Sequence, residues 1–349
     1  MMKKSSGGTW LVLVATVLLL ALGREGVQAA TMKEADFYKG KVVDCIIPYR
    51  TGGGYDNWIR LLSPFFAKYT GATLVAKNMP GAGGLVGTNR LYTSDTNGLT
   101  IGILNGPGLM QAQLTGIAGV KFDLLKFAWL GRLTSEQKII CVGSKSKLKT
   151  IEAMKQSPKP IKFGAPGLGS SMFMEAALAA EALGLKIDLI TGYETSEEVD
   201  LAVIRGELDA ATGSFSSKID TVKNGDMALV AQFGKVKESD LTHVPDLGNL
   251  PGMSSEGKQL VELLVALGES GRPIAGPPGA NPERMKSVEE ALKKSLEDPG
   301  FIQLAKKQQM DIIYMPPGEL LKTIEKGINL SPGLKNKLQE ILAKYQPKK

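Results

Sequence analysis

The sequence predicts an α/β protein of two lobes with a ligand cleft between them, and three observations carry this prediction. Residues 42–92 alternate short apolar runs, glycine-rich corners and amphipathic stretches, and residues 150–212 repeat that order. Alternation of this kind is typical of βαβ units, whose strands are parallel. The roughly 320 residues that follow residue 29 exceed what a single core normally supports, so two domains are expected.

In the first block we expect strands at 42–47, 73–77 and 99–104 and helices at 56–69 and 85–93, from the apolar periodicity and the glycines between the segments. Pro64 falls inside the first of these helices and should kink or split it, because proline lacks the backbone N–H that a helix interior uses.

In the second block the same signals predict helices at 150–156, 172–183 and 197–205 and strands at 161–165, 187–191 and 208–212. A short strand and a turn at 273–278 and charged amphipathic helices at 282–296 and 331–344 follow. We therefore assign residues 30–143 and 270–349 to the first lobe and 144–269 to the second.

Residues 1–29 are predicted to be a cleaved export signal. Lys3 and Lys4 give a basic start, residues 10–22 are an uncharged apolar run, and small residues end the segment. The run is shorter than the roughly 20 residues that span a bilayer. An uncleaved anchor is the alternative. The mature chain is expected beyond the inner membrane.

The charge balance does not indicate a nucleic-acid partner. The full chain has a formal net charge of +7, and residues 1–29 hold three basic residues and one acidic residue, so the mature charge is +5. The lysines alternate with glutamates along the C-terminal helices, a pattern typical of solvated helix faces.

Metal and triad chemistry are also disfavoured. Cys45 and Cys141 lie in apolar strand-like runs, so we expect two buried free thiols, with a disulfide as the alternative in an oxidising compartment. The single histidine, His243, lies in a loop context. One histidine without clustered cysteines supports neither a zinc site nor a Ser-His-Asp triad.

Four glycine-rich corners, at 52–54, 81–84, 106–108 and 167–169, precede predicted helices. Glycine lets a ligand approach the backbone N–H groups, and the N-terminus of the following helix favours an anion. Neither the dinucleotide fingerprint nor the phosphate loop is matched, which disfavours nucleotides. For any single corner, a tight turn without a binding role remains the alternative.

Asp56 and two serines have two interpretations each. Asp56 follows the triple glycine and is either the N-cap of the helix or a residue that holds the loop open or contacts a ligand hydroxyl or amine. Ser170 and Ser171 are either caps or hydroxyl donors to a carboxylate.

The glycine corners belong to longer motifs that occur in one order along the chain. They are residues 48–56, with Tyr49, Gly52–Gly54 and Asp56, followed by 77–84, 163–171, 206–209, 276–282 and 296–301. Together they resemble the substrate-binding proteins of tripartite tricarboxylate transporters, the Bug or TctC-like family, over essentially the whole mature chain.

The resemblance implies a type II periplasmic binding protein fold with the ligand cleft between its two lobes. It further implies a periplasmic receptor, not an enzyme, that delivers a small organic carboxylate to one large and one small integral membrane subunit, with no cofactor or metal. We expect a monomer. The predicted ligand-binding residues are Tyr49, Arg50, Gly52, Gly53, Gly54, Asp56, Asn105, Gly106, Gly167, Gly169, Ser170, Ser171, Tyr193, Ser214 and Phe215.

The chain departs from the family pattern at three places. The family usually has a histidine where this chain has Met172–Met174. The family's Tyr-x-Gly element reads Tyr193-Glu194-Thr195 here, so its glycine is lost and an acidic side chain is present. Ser216 follows Phe215 where the family often has an acidic residue. We hypothesise that Arg50 balances ligand charge and that Glu194 selects an added amino or hydroxyl group; the alternative is that both are surface loop residues.

Two other functions stay open. A receptor that presents its ligand to a sensor kinase is one. An exported α/β hydrolase is less favoured, because the chain has no Gly-x-Ser-x-Gly elbow and no second histidine.

Overall fold

The computed structural model describes residues 36–135, 137–235 and 239–346; the predicted export signal lies outside them. Within these ranges the chain forms ten β-strands and twelve α-helices. The strands are β1 (Val42–Ile47), β2 (Thr73–Asn78), β3 (Thr100–Ile103), β4 (Ala128–Arg132), β5 (Lys138–Gly143), β6 (Ile161–Ala165), β7 (Ile187–Thr191), β8 (Ala210–Ser214), β9 (Met227–Phe233) and β10 (Pro273–Gly276).

The first eight helices lie between strands, and the last four follow the last strand. They are α1 (Gly54–Thr70), α2 (Leu85–Tyr92), α3 (Gly106–Thr115), α4 (Ile151–Lys155), α5 (Ser171–Leu183), α6 (Ser196–Arg205), α7 (Phe215–Lys223), α8 (Ser255–Gly268), α9 (Pro282–Glu297), α10 (Pro299–Lys307), α11 (Pro317–Ile328) and α12 (Pro332–Tyr345). In the part of the chain that the structure describes, no helix has the length and apolarity needed to cross a membrane.

Two five-stranded sheets form the centres of two lobes. The first has the order β2-β1-β3-β10-β4 and the second the order β7-β6-β8-β5-β9. In each sheet the first three strands are parallel, whereas β10 and β5 run antiparallel to both of their neighbours. The two-lobed type II fold and the parallel βαβ units are therefore confirmed, and each sheet in addition contains one antiparallel strand.

The antiparallel strand of each sheet begins where the chain passes from one lobe to the other; these two passages are called the crossings. The chain enters the second lobe between Arg132 and Lys138 and begins β5, and it returns just before Pro273 and begins β10. The sequence analysis places residues 138–143 in the first lobe, but β5 pairs with β8 and β9 of the second sheet. An apolar strand pattern shows that a strand is buried without showing which sheet it joins.

The C-terminal helices α11 and α12 also connect the lobes. Helix α12 packs on α5 of the second lobe and on α3 of the first. The Tyr345 hydroxyl donates to Glu181 on α5 at 2.5 Å, and Lys344 pairs with the same carboxylate. The periodicity of residues 331–344 predicts that one face of the helix is buried. It gives no sign that this face packs partly on the second lobe.

Pro64 does not split its helix. Helix α1 runs through it from Gly54 to Thr70, and Pro64 lies on the exposed face. The buried residues Ile59, Leu62 and Phe66 share the opposite face and pack in the core of the first lobe. Burial of this face offsets the hydrogen bond that the proline removes.

Both cysteines are buried free thiols. Cys45 lies in β1 and Cys141 in β5, in different sheets. Burial raises the pKa of both thiols, that of Cys141 to about 12, so both are neutral and unreactive in the folded protein. His243 is exposed in a loop.

Candidate ligand-binding cleft

The loops that follow the parallel strands of the two sheets face each other across a small cavity of about 60 Å³. The first lobe contributes Tyr49, Gly53, Gly54, Tyr55, Asn105 and Arg272, and the second contributes Lys138, Pro166, Ser170, Ser171, Met172, Thr195, Ser196, Glu197, Gly213, Ser214, Ser217 and Lys218. This is the edge at which open α/β sheets bind ligands. The cavity exceeds the roughly 10–15 Å³ that one water needs.

An aromatic and cationic stack forms the wall on the first lobe. The rings of Tyr49 and Tyr55 lie 4.7 Å apart at 27°, and the Arg272 guanidinium lies 4.7 Å from the centre of the Tyr55 ring. The Tyr49 hydroxyl donates to the carbonyl of Gly83 at 3.1 Å and accepts from Asn105 at 2.8 Å. Burial raises the pKa of Tyr49 to about 12, so its hydroxyl stays neutral.

The triple glycine lets backbone form the cavity wall at the start of α1. A Cβ on Gly54 would lie 2.8 Å from Nη1 of Arg272 and 3.2 Å from Oγ of Ser217. Gly53 is the N-cap of α1 and provides no side-chain cap. The first N–H groups of α1 therefore lie close to Arg272, and both favour an anion.

Asp56 is not the N-cap of this helix, contrary to one of the two predictions. It is the third residue of α1, it is 1 % exposed, and its carboxylate accepts from the Gly52 N–H, Arg60 Nε and Asn78 Nδ2 at 2.9, 2.7 and 3.0 Å. These bonds hold the pKa of Asp56 below its usual value although burial opposes them. Asp56 fixes the loop from behind and does not line the cavity.

Charged pairs stand behind the serines of the second lobe. Lys138 Nζ donates to Ser214 Oγ at 2.7 Å and lies 3.5 Å from Oε1 of Glu175. Lys218 is fully buried and paired with Asp200. Burial disfavours its charge, but the adjacent Asp200 carboxylate outweighs burial and raises the pKa of Lys218, so it is protonated.

Ser170 takes the capping role that was one of its two predictions. Its hydroxyl accepts from the N–H of Phe173 at 3.3 Å and donates to the carbonyl of Gly167 at 2.7 Å. Because both bonds are local, the Ser170 hydroxyl orients the start of α5. Ser170 also lines the cavity.

The other three glycine corners bring the lobes into contact instead of surrounding the cavity. A Cβ on Gly83 would lie 2.8 Å from the nitrogens of Gly169 and Ser170, and a Cβ on Gly108 would lie 2.3 Å from the Gly169 carbonyl. A Cβ on Gly167 would lie 2.8 Å from the Gly83 nitrogen. Only residues without a side chain allow this backbone-to-backbone approach.

The structure separates the predicted binding residues into three groups. Seven line the small cavity: Tyr49, Gly53, Gly54, Asn105, Ser170, Ser171 and Ser214. Arg50, Gly167 and Tyr193 line a second, larger cavity of about 560 Å³ on the other side of Tyr49. Five line neither: Gly52, Asp56, Gly106, Gly169 and Phe215.

These five have structural reasons for their positions. Gly52 has a φ of 92° and donates to Asp56, and Gly106 begins α3 against Ser270. Gly169 belongs to the contact between the lobes. Phe215 begins α7 with its ring in the hydrophobic core, 3 % exposed.

Arg50 and Glu194 form an ion pair with each other across the cleft. Their side chains are 54 % and 41 % exposed. Both residues line the larger cavity and neither lines the small one. That Arg50 balances ligand charge and that Glu194 selects an amino or hydroxyl group stays a prediction.

Sequence reasoning missed the charged residues of the small cavity: Lys138, Glu197, Lys218 and Arg272. Lys138 begins β5 and Arg272 precedes β10. Because these strands are antiparallel to their neighbours, their first residues lie at the edge where the parallel strands end. A basic residue at the start of a strand is the available signal, and it is readable only when the strand direction is known.

The described residues contain no cluster of three or more histidine, cysteine, aspartate or glutamate side chains that could hold a metal ion.

Residues 59–338 match the model of the tripartite tricarboxylate transporter family receptor, TctC. The chain belongs to this family. A curated relative, the "UPF0065 protein in gbd 5'region" of Cupriavidus necator, is 22% identical over 309 residues, which cover 84% of this chain and 89% of the relative. The resemblance derived from the motifs is thereby confirmed.

Solved structures show the same fold. The periplasmic binding protein BugD matches with a TM-score of 0.72 at 17% identity, over 87% of this chain and 98% of that one. MatC from Rhodopseudomonas palustris, solved with bound malate, matches with a TM-score of 0.70 at 15% identity, over 87% and 99%. The chain is thus a solute-binding protein of the TctC receptor family.

Proposed function

We propose that this TctC-family protein is a periplasmic receptor that encloses a small organic carboxylate between its lobes and delivers it to a membrane transporter with one large and one small subunit. The observation that carries the proposal is the small cavity between the lobes, where Arg272, the N-terminus of α1 and the serines of the second lobe meet. Malate in MatC supports the ligand class.

The ligand carboxylate is assigned to the space beside Gly54. There the Arg272 guanidinium, stacked on Tyr55 and hydrogen-bonded to Ser217 at 3.1 Å, is held in one orientation. A planar guanidinium recognises a carboxylate through two parallel hydrogen bonds. The Ser217 hydroxyl and the N–H groups of α1 complete a set of donors from both lobes, so binding favours closure.

The serines of the site have binding or structural partners: Ser170 caps α5, Ser214 accepts from Lys138, and Ser217 accepts from Arg272. No histidine lines the small cavity, and His243 lies in an exposed loop. The protein is proposed to bind and release its ligand unchanged.

The test is a thermal-shift screen of the purified protein against several hundred carboxylates, malate and adipate among them. A ligand at 100 times its dissociation constant stabilises the native state by about 2.7 kcal/mol, which gives a clear rise of the melting temperature. Arg272→Ala should abolish the shift. The exposed Arg90, which lines neither cavity, provides the control Arg90→Ala with the same loss of charge.

Binding that survives Arg272→Ala, or the absence of any stabilising carboxylate, would refute the proposed site. Delivery is tested separately, by uptake of the identified ligand in cells with and without this protein. Uptake that does not depend on the protein would refute the transport role.

A further inference from the structure

Glu197 is the acidic side chain of the small cavity, and one of its oxygens lacks a partner. It is the second residue of α6, after the N-cap Thr195. Oε1 accepts from the Ser196 hydroxyl at 3.1 Å, while Oε2 is buried and has no hydrogen-bond donor among the described residues. A buried carboxylate oxygen left without a donor is unfavourable, so a ligand that supplies one gains affinity there.

The Glu197 carboxylate faces the first lobe. A Cβ on Gly53 would lie 3.4 Å from Oε2, so the backbone of Gly53 stands opposite this oxygen. The Arg272 guanidinium lies beside the next residue, Gly54. A ligand held at Arg272 through its carboxylate therefore has Glu197 as its neighbour on the second lobe.

The charges that the described residues bring to the cavity balance. Its lining cations are Lys138, Lys218 and Arg272, and its lining anion is Glu197. Two further carboxylates stand directly behind, since Glu175 pairs with Lys138 and Asp200 with Lys218. The described residues thus place three cations and three carboxylates at or directly behind the cavity wall. A closed site with balanced charge fits a ligand whose own charges balance, because an uncompensated charge is costly away from water.

We infer that the small cavity takes a compact zwitterion, an amino acid with a short side chain, and that Glu197 accepts hydrogen bonds from its ammonium group. The inference rests on the proposed function and specifies its ligand. A volume of about 60 Å³ is far below the roughly 300–1,000 Å³ of drug-sized sites and leaves little space for a long side chain. Glu197 also takes over the selecting role that the sequence analysis gave to Glu194.

The experiment uses acids that share a carbon skeleton and differ in one substituent. The sets are acetate, glycolate and glycine; propionate, lactate and alanine; and succinate, malate and aspartate. Binding to the purified protein is measured by calorimetry at pH 7. We expect the amino member to bind about tenfold or more tightly than the unsubstituted acid, since the bond to Glu197 is charge-assisted.

Glu197→Gln should remove this preference by weakening the amino member about tenfold while changing the unsubstituted acid by less than about threefold. The matched control is Glu198→Gln. Glu198 is the next residue, accepts from the Glu194 N–H at 2.8 Å, and does not line the small cavity. Glutamine keeps that acceptor, so the control should bind like the wild type.

Three results would overturn the inference. Unsubstituted acids that bind as tightly as their amino analogues, or hydroxy acids that bind more tightly than amino acids, would show that no ammonium is recognised. A Glu197→Gln variant that weakens all members alike would show a structural role only. In each case carboxylate binding itself, and with it the proposed function, would stand. If no carboxylate of any kind bound, both would fail.

Discussion

Gly108→Ala should weaken ligand binding by preventing full closure of the cleft. In the closed arrangement the added Cβ would lie 2.3 Å from the carbonyl oxygen of Gly169 and 2.9 Å from the nitrogen of Ser171, both on the opposite lobe. Ordinary contacts begin near 3.4 Å. The obstructing atoms are backbone, so the lobes themselves must separate by roughly 1 Å.

The magnitude follows from the cost of overpacking. Inserting a methyl group into a closely packed contact costs about 1–3 kcal/mol. Here that cost applies to the closed state only, so it reduces the binding-competent population and the apparent affinity together. We expect a loss of affinity of about 5- to 150-fold. The thermal stability of the free protein should change little, because the variant relieves the clash by opening instead of unfolding.

The assay is calorimetry with the best ligand from the screen, combined with small-angle scattering to follow compaction upon binding. Gly333→Ala is the matched control: Gly333 lies in the first turn of α12, and a Cβ there would meet nothing within 4 Å. The reasoning is refuted if Gly108→Ala binds as tightly as the wild type, or if it compacts to the same extent with ligand.

Two predictions concern stability. Lys218→Met leaves Asp200 buried without its cation, so the free energy of unfolding, measured in urea without ligand, should fall by about 3–5 kcal/mol. Adding Asp200→Leu should recover most of the lost stability. A Lys218→Met variant as stable as the wild type would contradict the prediction. Hydrogen bonds from Lys68 and Tyr69 lower the pKa of Asp298 to about 2, so its contribution is complete above the unfolded pKa near 4 and is lost as the pH falls toward 2. Asp298→Asn, which keeps the cap on Gly300, should flatten the melting temperature between pH 4 and 2; an unchanged slope would count against it.

Most secondary structure was predictable because it depends on local signals. The strands at 42–47, 161–165 and 187–191 have the bounds that were expected, and the helices near 85 and 172 differ by a residue. Alternating apolar residues, capping serines and glycines are readable within a few positions of each other. The two-lobed fold followed from their repetition.

Strand direction and lobe membership were not predictable from the same signals. Nothing local distinguishes β5 from a parallel strand, because its apolar run only records that both faces are buried. Because the directions of β5 and β10 were not predicted, the positions of Lys138 and Arg272 at the cavity were not predicted either. It also moved the boundary between the lobes by several residues.

The roles of the glycines were ambiguous for a related reason. Gly54 and Gly108 carry the same signal, a glycine in the first turn of a helix, yet one forms the wall of the small cavity and the other touches the opposite lobe. Only the relative placement of the lobes distinguishes these roles. In the same way, Arg50 and Glu194 are far apart in sequence, so their pairing depends on closure.

The two crossings of the chain imply an order for the steps of ligand capture. Lys138 and Arg272 each stand beside a crossing, and a rotation of one lobe against the other would turn about these crossings. Points near a rotation axis are displaced least, so these two cations keep their spacing when the cleft opens. Glu197 belongs to α6, away from the crossings, and travels further. The proposed carboxylate ligand would thus meet a preassembled pair of cations first, and the acidic side chain would arrive last and complete the enclosure.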